Sequence, residues 1–320
     1  YAGSSGYLAD DLRFQVGAFS DTDGGAFAAL QWRIAEITPT TAPGYPAVAG
    51  GIRYEINAAW TNESAAYAAD VRIPAAAVQA GRVYRVRARM KDNSGKWSRW
   101  SAPVEFIAAA PNGAGDLIAN LVVSEFNYNP SNPTAAEIAA AGAGIDNNSF
   151  EFIELHNIST SQTLDLSGLA FTTGITYSFA GAAITTLGPG EYVLVVADPV
   201  AFAARYGSGL PVAGTYSGKL DGAGERIALA LAGTTIRDFT YDDAPPWPTT
   251  PDGSGPTLVL ADPASNPDHN LAASWRASYA AGGTPGAGEA PILGWRLANF
   301  GTTEDAGDAA DAADPDQDGI

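Results

Sequence analysis

The sequence predicts an all-β protein: two consecutive β-sandwiches and then a short acidic, largely irregular C-terminal segment. Three observations carry that prediction. Short runs of Val, Ile, Leu, Tyr and Phe alternate with clusters of Gly, Pro, Asn and Asp, the pattern of strands joined by turns. The 36 Gly and 21 Pro suit turns and would break long helices. No apolar run approaches the roughly 20 residues that a membrane-spanning helix needs.

The first region, residues 1–110, reads as about seven short strands, the number of a single sandwich. The strand candidates are LRFQVGAF, FAALQWRIAEI, IRYEINAAW, AADVRIPAAAV, VYRVRARM and VEFIAAA, with SDTDGG and KDNSGK as turns. In VYRVRARM, Arg85, Arg87 and Arg89 alternate with Tyr84, Val86 and Ala88, so strand periodicity sends the arginines to one face. The next segment, KWSRWSAP, carries Trp97 and Trp100, which fit between those guanidinium groups as cation–π partners. This region resembles a fibronectin type III domain, and the W-S-x-W-S stretch resembles the tryptophan–arginine ladder of cytokine-receptor modules. The resemblance implies that the ladder braces the fold. The alternative is an aromatic platform for sugar rings.

Residues 111–116 read as a linker, and the second region runs from 117 to 289. Its strand candidates are LIANLVVSEFNY, FEFIELHNI, LAFTT, TYSFA, EYVLVVA, RIALALA, IRDFTY and TLVLA. NPTAAEIAAAG and DPVAFAARYG read as helices, with proline near the start and glycine at the stop. The ordered fragments VSEFNYNP, FEFIELHNIS, LDLSGLAF, LGPGEYVLVV, LDGAGERIALAL, IRDFTYDDAPPWP, SWRAS and GGTPGAGE resemble a bacterial lamin-tail domain. That resemblance implies an immunoglobulin-like sandwich and no enzyme.

Little in the sequence points to catalysis. The two histidines, His156 and His269, form no close metal-binding pair, and no nucleophile elbow, phosphate-binding loop or zinc-hydrolase motif is present. Glu151 and Glu154 are three apart, so on a regular strand they point to opposite faces. A cation in this sandwich would have to recruit Glu125, Glu151, Glu154, Asp146 or His156 from separate segments. Trp247 and Trp275 are expected in the core or at its rim. Cysteine is absent, which excludes disulfides and thiolate sites.

The net charge of −18 is unevenly spread. Residues 1–110 hold 11 Lys+Arg against 10 Asp+Glu, residues 111–290 hold 5 against 18, and residues 291–320 hold 1 against 7. A body this acidic repels nucleic acid. In the Ala/Asp-rich segment 290–320, Asp314, Asp316 and Asp318 alternate ahead of Gly319, with the Ile320 carbonyl next. Oxygens at positions 1, 3 and 5, a turn-making glycine at 6 and a carbonyl at 7 are the first half of a calcium loop. The stretch resembles dockerin or thrombospondin type 3 loops, with calcium as the implied cofactor, and the tail as a whole resembles the ends of large secreted bacterial proteins. The expected role is therefore a non-catalytic accessory or spacer region of a longer, exported bacterial protein, secreted or at the cell surface. Its expected partners are neighbouring domains, with neither nucleic acid nor a membrane span. The alternatives are a calcium-dependent module for polysaccharide or another cell-surface polymer and, least favoured, an enzyme with a carboxylate and histidine cleft.

Overall fold

The structure, a computed structural model, describes residues 1–3, 6–38 and 57–310. Its elements are overwhelmingly strands, and the chain divides into two compact units, Tyr1–Asp116 and Leu117–Ile320.

The first unit contains β1 (Leu12–Gln15), β2 (Phe27–Glu36), β3 (Ala58–Ser64), β4 (Asp70–Ile73), β5 (Val83–Asp92) and β6 (Val104–Ile107). β1 pairs with β4, and a second antiparallel sheet has the order β3-β2-β5-β6. Leu12, Phe14 and Ile73 from the first sheet and Trp32, Ile34, Tyr84, Val86 and Phe106 from the second form one buried core. β5 shows why it is a strand. Tyr84, Val86 and Ala88 are buried and the intervening arginines lie on the opposite face, the two-residue period expected of it.

α1 spans Ala114–Asn120, and the second unit begins within it at Leu117. The sequence predicts a linker over 111–116 and then a strand from Leu117. The Asn112 side chain instead accepts the Ala114 amide at 2.9 Å and starts a helical turn, so the strand begins only at Leu121. The elements that follow are β7 (Leu121–Asn127), α2 (Ala135–Ala141), β8 (Phe152–Asn157), β9 (Leu164–Asp165), β10 (Leu169–Thr173), β11 (Tyr177–Ser178), β12 (Thr186–Leu187) and β13 (Tyr192–Val196). Then come α3 (Pro199–Tyr206), β14 (Val212–Thr215), β15 (Arg226–Leu231), β16 (Thr234–Thr240), β17 (Leu258–Leu260), β18 (Trp275–Ala277) and α4 (Pro291–Phe300).

A six-stranded sheet of order β14-β13-β8-β7-β17-β18 faces a four-stranded sheet of order β11-β10-β15-β16. Rings from both meet between them. Phe126 on β7 lies 6.1 Å from Phe239 on β16, which stacks at 5.6 Å on Trp275 of β18. α3 covers part of the outer face, where Phe202 and Tyr206 pack edge-on against Phe152 of β8. α2 is held beside α3 through Glu137, which completes the capping box of Thr134 and pairs with Arg205 at 2.7 Å.

The segment after 290, expected to be largely irregular, opens with the ten-residue α4. Pro291 sits in its first turn, Gly301 closes it in the left-handed region (φ 71°), and Arg296 is buried and paired with Asp305 at 2.8 Å.

Candidate functional site

In the second unit the polar side chains gather on the outer face of the six-stranded sheet. Glu125 and Glu154 are register partners across β7 and β8, and the row continues through Leu194 on β13, Val259 on β17 and Arg276 on β18. A β-bulge makes this row. Val123 pairs with Leu155, but Glu125 pairs with Glu154, so Ser124 is an extra residue in β7. An unbroken two-residue period would put Glu125 on the same face as Val123, the core face. The bulge turns it to the outer face beside Glu154.

Both glutamates are almost fully buried. Glu125 accepts the Thr257 hydroxyl at 2.7 Å and the Thr284 amide at 3.2 Å. Glu154 lies 2.6 Å from the Ser124 hydroxyl and accepts the Gly286 amide at 2.6 Å. Burial pushes both carboxyls up, Glu125 well above the usual range and Glu154 to about 8; the Glu154 charge raises Glu125 further. Among the described residues neither glutamate is in an ion pair.

Beside the pair is a cavity of about 320 Å³ whose lining includes His156, Tyr192, Arg276 and Glu289. His156 stacks on Tyr192 with centroids 4.1 Å apart, burial lowers its basicity, and its Nδ1 has no hydrogen-bond partner. Glu289 is engaged by Arg276 and by the amides of Tyr279 and Ala280. Besides the carboxyl pair and His156, the cavity presents the mutually paired Arg276 and Glu289 and the Asp262 carboxylate, an arrangement suited to hydrogen bonding.

The remaining acids do not join this group. Glu151 faces the other way, as its spacing from Glu154 predicts. It accepts the Tyr216 hydroxyl at 2.9 Å and the Leu220 amide at 2.8 Å, and burial lifts its carboxyl to about 7. Asp146 caps the short turn at Asn147–Phe150. Among the described residues no group of three or more His, Asp or Glu is arranged to hold a metal ion. Asp314, Asp316, Asp318 and Ile320 lie outside the described residues.

His269 is a core residue. Its Nε2 accepts the Val123 amide at 3.2 Å, which leaves Nδ1–H to donate to the Pro267 carbonyl at 2.9 Å. Burial and then the Arg237 charge push it down to about 4. Trp275, also buried, donates its indole N–H to the His269 carbonyl and has Trp247 6.3 Å away.

In the first unit the Arg89 guanidinium lies 4.4 Å from the Trp97 ring and 4.5 Å from Trp100, and the Lys91 ammonium sits 5.1 Å from Trp97. Arg85 pairs with Glu105. Arg87 lies on the same face of β5. The two serines of the motif bind β5 twice each. Ser98 donates its amide to the Met90 carbonyl and accepts the Met90 amide on its hydroxyl, and Ser101 does the same with Ala88. All seven tryptophans lie among the described residues, and only Trp295 of α4 is exposed.

The second unit's strands, from β7 to the end of β16, are what known proteins share with this chain. Residues 116–243 match the family model of the lamin tail domain. The lamin-tail match covers about two-fifths of the chain and denotes a non-catalytic, immunoglobulin-like domain. It includes Glu125, Glu151 and Glu154 but stops short of Thr257, Thr284 and Gly286, which hold two of them. No curated protein matches the chain.

Thr257, Thr284 and Gly286 were not legible as partners of the glutamates. For Thr284 and Gly286 the one sequence signal is GGTPG, which reads as a closing turn and also places flexible backbone where amides can approach a carboxylate.

Proposed function

We propose that these residues form a non-catalytic accessory region of a larger exported bacterial protein, one that spaces or positions neighbouring domains. The observation that carries this reading is that the residues with chemical potential are spent on structure. Glu125 and Glu154 hold backbone amides, His269 sits in the core, and Arg89 occupies the faces of Trp97 and Trp100 that a sugar ring would need. The lamin-tail match supports a non-catalytic unit. The ladder acts as a brace for the first unit. Asp314, Asp316, Asp318 and the Ile320 carbonyl have the ligand pattern of the first half of a calcium loop.

Among the described residues no helix is long and apolar enough to cross a membrane. The acidic second unit makes phosphate-backbone binding unfavourable, so neighbouring domains remain the proposed partners. Co-sedimentation with insoluble polysaccharides and bacterial cell walls, in calcium and in EDTA, tests the reading. The spacer role predicts no retention in either buffer. Retention in calcium alone would make the chain an adhesion or carbohydrate-binding module instead.

A further inference from the structure

Residues 283–289 lie as a strap across the outer face of the six-stranded sheet. Two amides two positions apart meet two carboxyls on adjacent strands, and the next glycine reaches a third strand. Thr284 N–H reaches Glu125 on β7, Gly286 N–H reaches Glu154 on β8, and Gly288 lies close against the Tyr192 hydroxyl on β13. The strap fits closely. At Gly283 (φ +72°) an added Cβ would lie 1.6 Å from Glu125 Oε1, and at Gly288 it would lie 2.9 Å from the Tyr192 hydroxyl. Both ends are tied, at Gly282 to the Gly255 carbonyl and at Glu289 to Arg276.

We propose that Glu125 and Glu154 form a proton-controlled latch: the strap stays docked while the pair holds a proton and opens locally when both carboxylates ionise. The geometry requires such a proton. Two carboxylates are register neighbours in a buried site, and the surrounding groups supply no compensating positive charge. His156 is disfavoured as a cation by burial, Arg276 is committed to Glu289, and Tyr192, Tyr206 and Asp262 add none. The protonated form has a partner ready. With the proton on Glu154 Oε1, the carboxyl donates to the Ser124 hydroxyl 2.6 Å away while Oε2 still accepts Gly286. Opening the strap admits water to the pair and restores ordinary acidity, so each proton lost on opening makes opening up to about tenfold easier per pH unit. The window opens at the usual glutamate range and extends upward as far as burial lifts both members of the pair. Docking is therefore tightest in mild acid. Because the strap leads directly into α4, the latch controls how firmly the segment that follows is seated.

Amide exchange of Thr284 and Gly286, followed by NMR on the whole chain and corrected for the base-catalysed intrinsic rate, tests this. The expected result is protection that falls about tenfold per pH unit between pH 5.5 and 7.5, while Ile227 and Leu229 on the opposite sheet stay at least about tenfold better protected. Glu154→Gln keeps a neutral side chain able to bond Ser124 and Gly286, and its profile should be distinctly shallower. Three results would each overturn the latch: protection at Thr284 and Gly286 that does not change with pH, strap amides that track Ile227 and Leu229 at every pH, or an unaltered slope in Glu154→Gln. The first two need no variant.

Discussion

Glu125 and Glu154 face each other across β7 and β8 only because Ser124 is one residue too many for the ladder. The bulge converts a position that periodicity assigns to the core into half of a buried carboxyl pair, and the strap at 283–289 covers the pair. Local backbone irregularity, more than residue type, sets the chemistry of this face.

The stability of the chain should peak on the acid side of neutrality. Glu151 and Glu154 are lifted by burial to about 7 and about 8, so the folded state binds more protons than the unfolded one above the normal glutamate range. Stability from these two groups is full below that range and is lost as pH rises to 7 and 8. His269, pushed down to about 4, works in the opposite sense, losing stability as pH falls from 6.5 to 4. Glu137, held at about 2 chiefly by its hydrogen bond to Arg205, loses its contribution only in stronger acid. The raised carboxyls Glu125, Glu151 and Glu154 together outweigh the depressed imidazoles His156 and His269, so calorimetry should find the highest Tm near pH 5 and a decline towards pH 8. Glu151→Gln should flatten part of that decline.

Arg89→Ala should destabilise the first unit by about 1–3 kcal/mol, from the loss of two stacking contacts and the 2.7 Å bond to Gln31. Arg85→Ala removes the pair with the exposed Glu105 and should cost less than Arg89→Ala. Denaturant titrations of the two variants give the comparison. Arg87→Ala is expected to lower the melting temperature as well.

Gly283→Ala brings a methyl group into Glu125 at a left-handed backbone position, and should cost about 2–4 kcal/mol or displace the strap. Gly190 also has positive φ (+73°) but opens on free space, so Gly190→Ala should cost only about 1 kcal/mol. Urea unfolding of both separates crowding from backbone strain.

His269→Ala should cost about 2–4 kcal/mol, since it leaves the Val123 amide without its acceptor and opens space beside Phe239 and Trp275. Zinc added to the wild-type chain should leave its unfolding midpoint unchanged, because both nitrogens of His269 are engaged and, among the described residues, His156 has no set of two further His, Asp or Glu ligands arranged with it.

Much of the fold was legible because its causes are local. Alternation placed the arginines of β5 on one face, and proline followed by glycine bounded α2 and α3. Glu151 and Glu154 separated as a two-residue period requires. What stayed hidden depends on contacts far apart in sequence. Glu125 meets Thr284 across 159 positions, and the bulge at Ser124 has no compositional mark. His269 lies in a polar NPDHN stretch that reads as a surface loop, yet its ring is drawn into the core by an amide 146 residues away. α4 was missed because its neighbourhood is dominated by alanine and aspartate.

The central claim is that the buried acids of the second unit hold the protein's own backbone and no ligand. Thermal unfolding of the whole chain in millimolar calcium and again in EDTA tests it most directly, since any ligand bound only by the folded state raises its stability. The account predicts the same midpoint for the second unit in both buffers. A midpoint several degrees higher in calcium that persists when Asp314, Asp316 and Asp318 are replaced by Asn would show that Glu125, Glu151 or Glu154 serves an ion, and would contradict it.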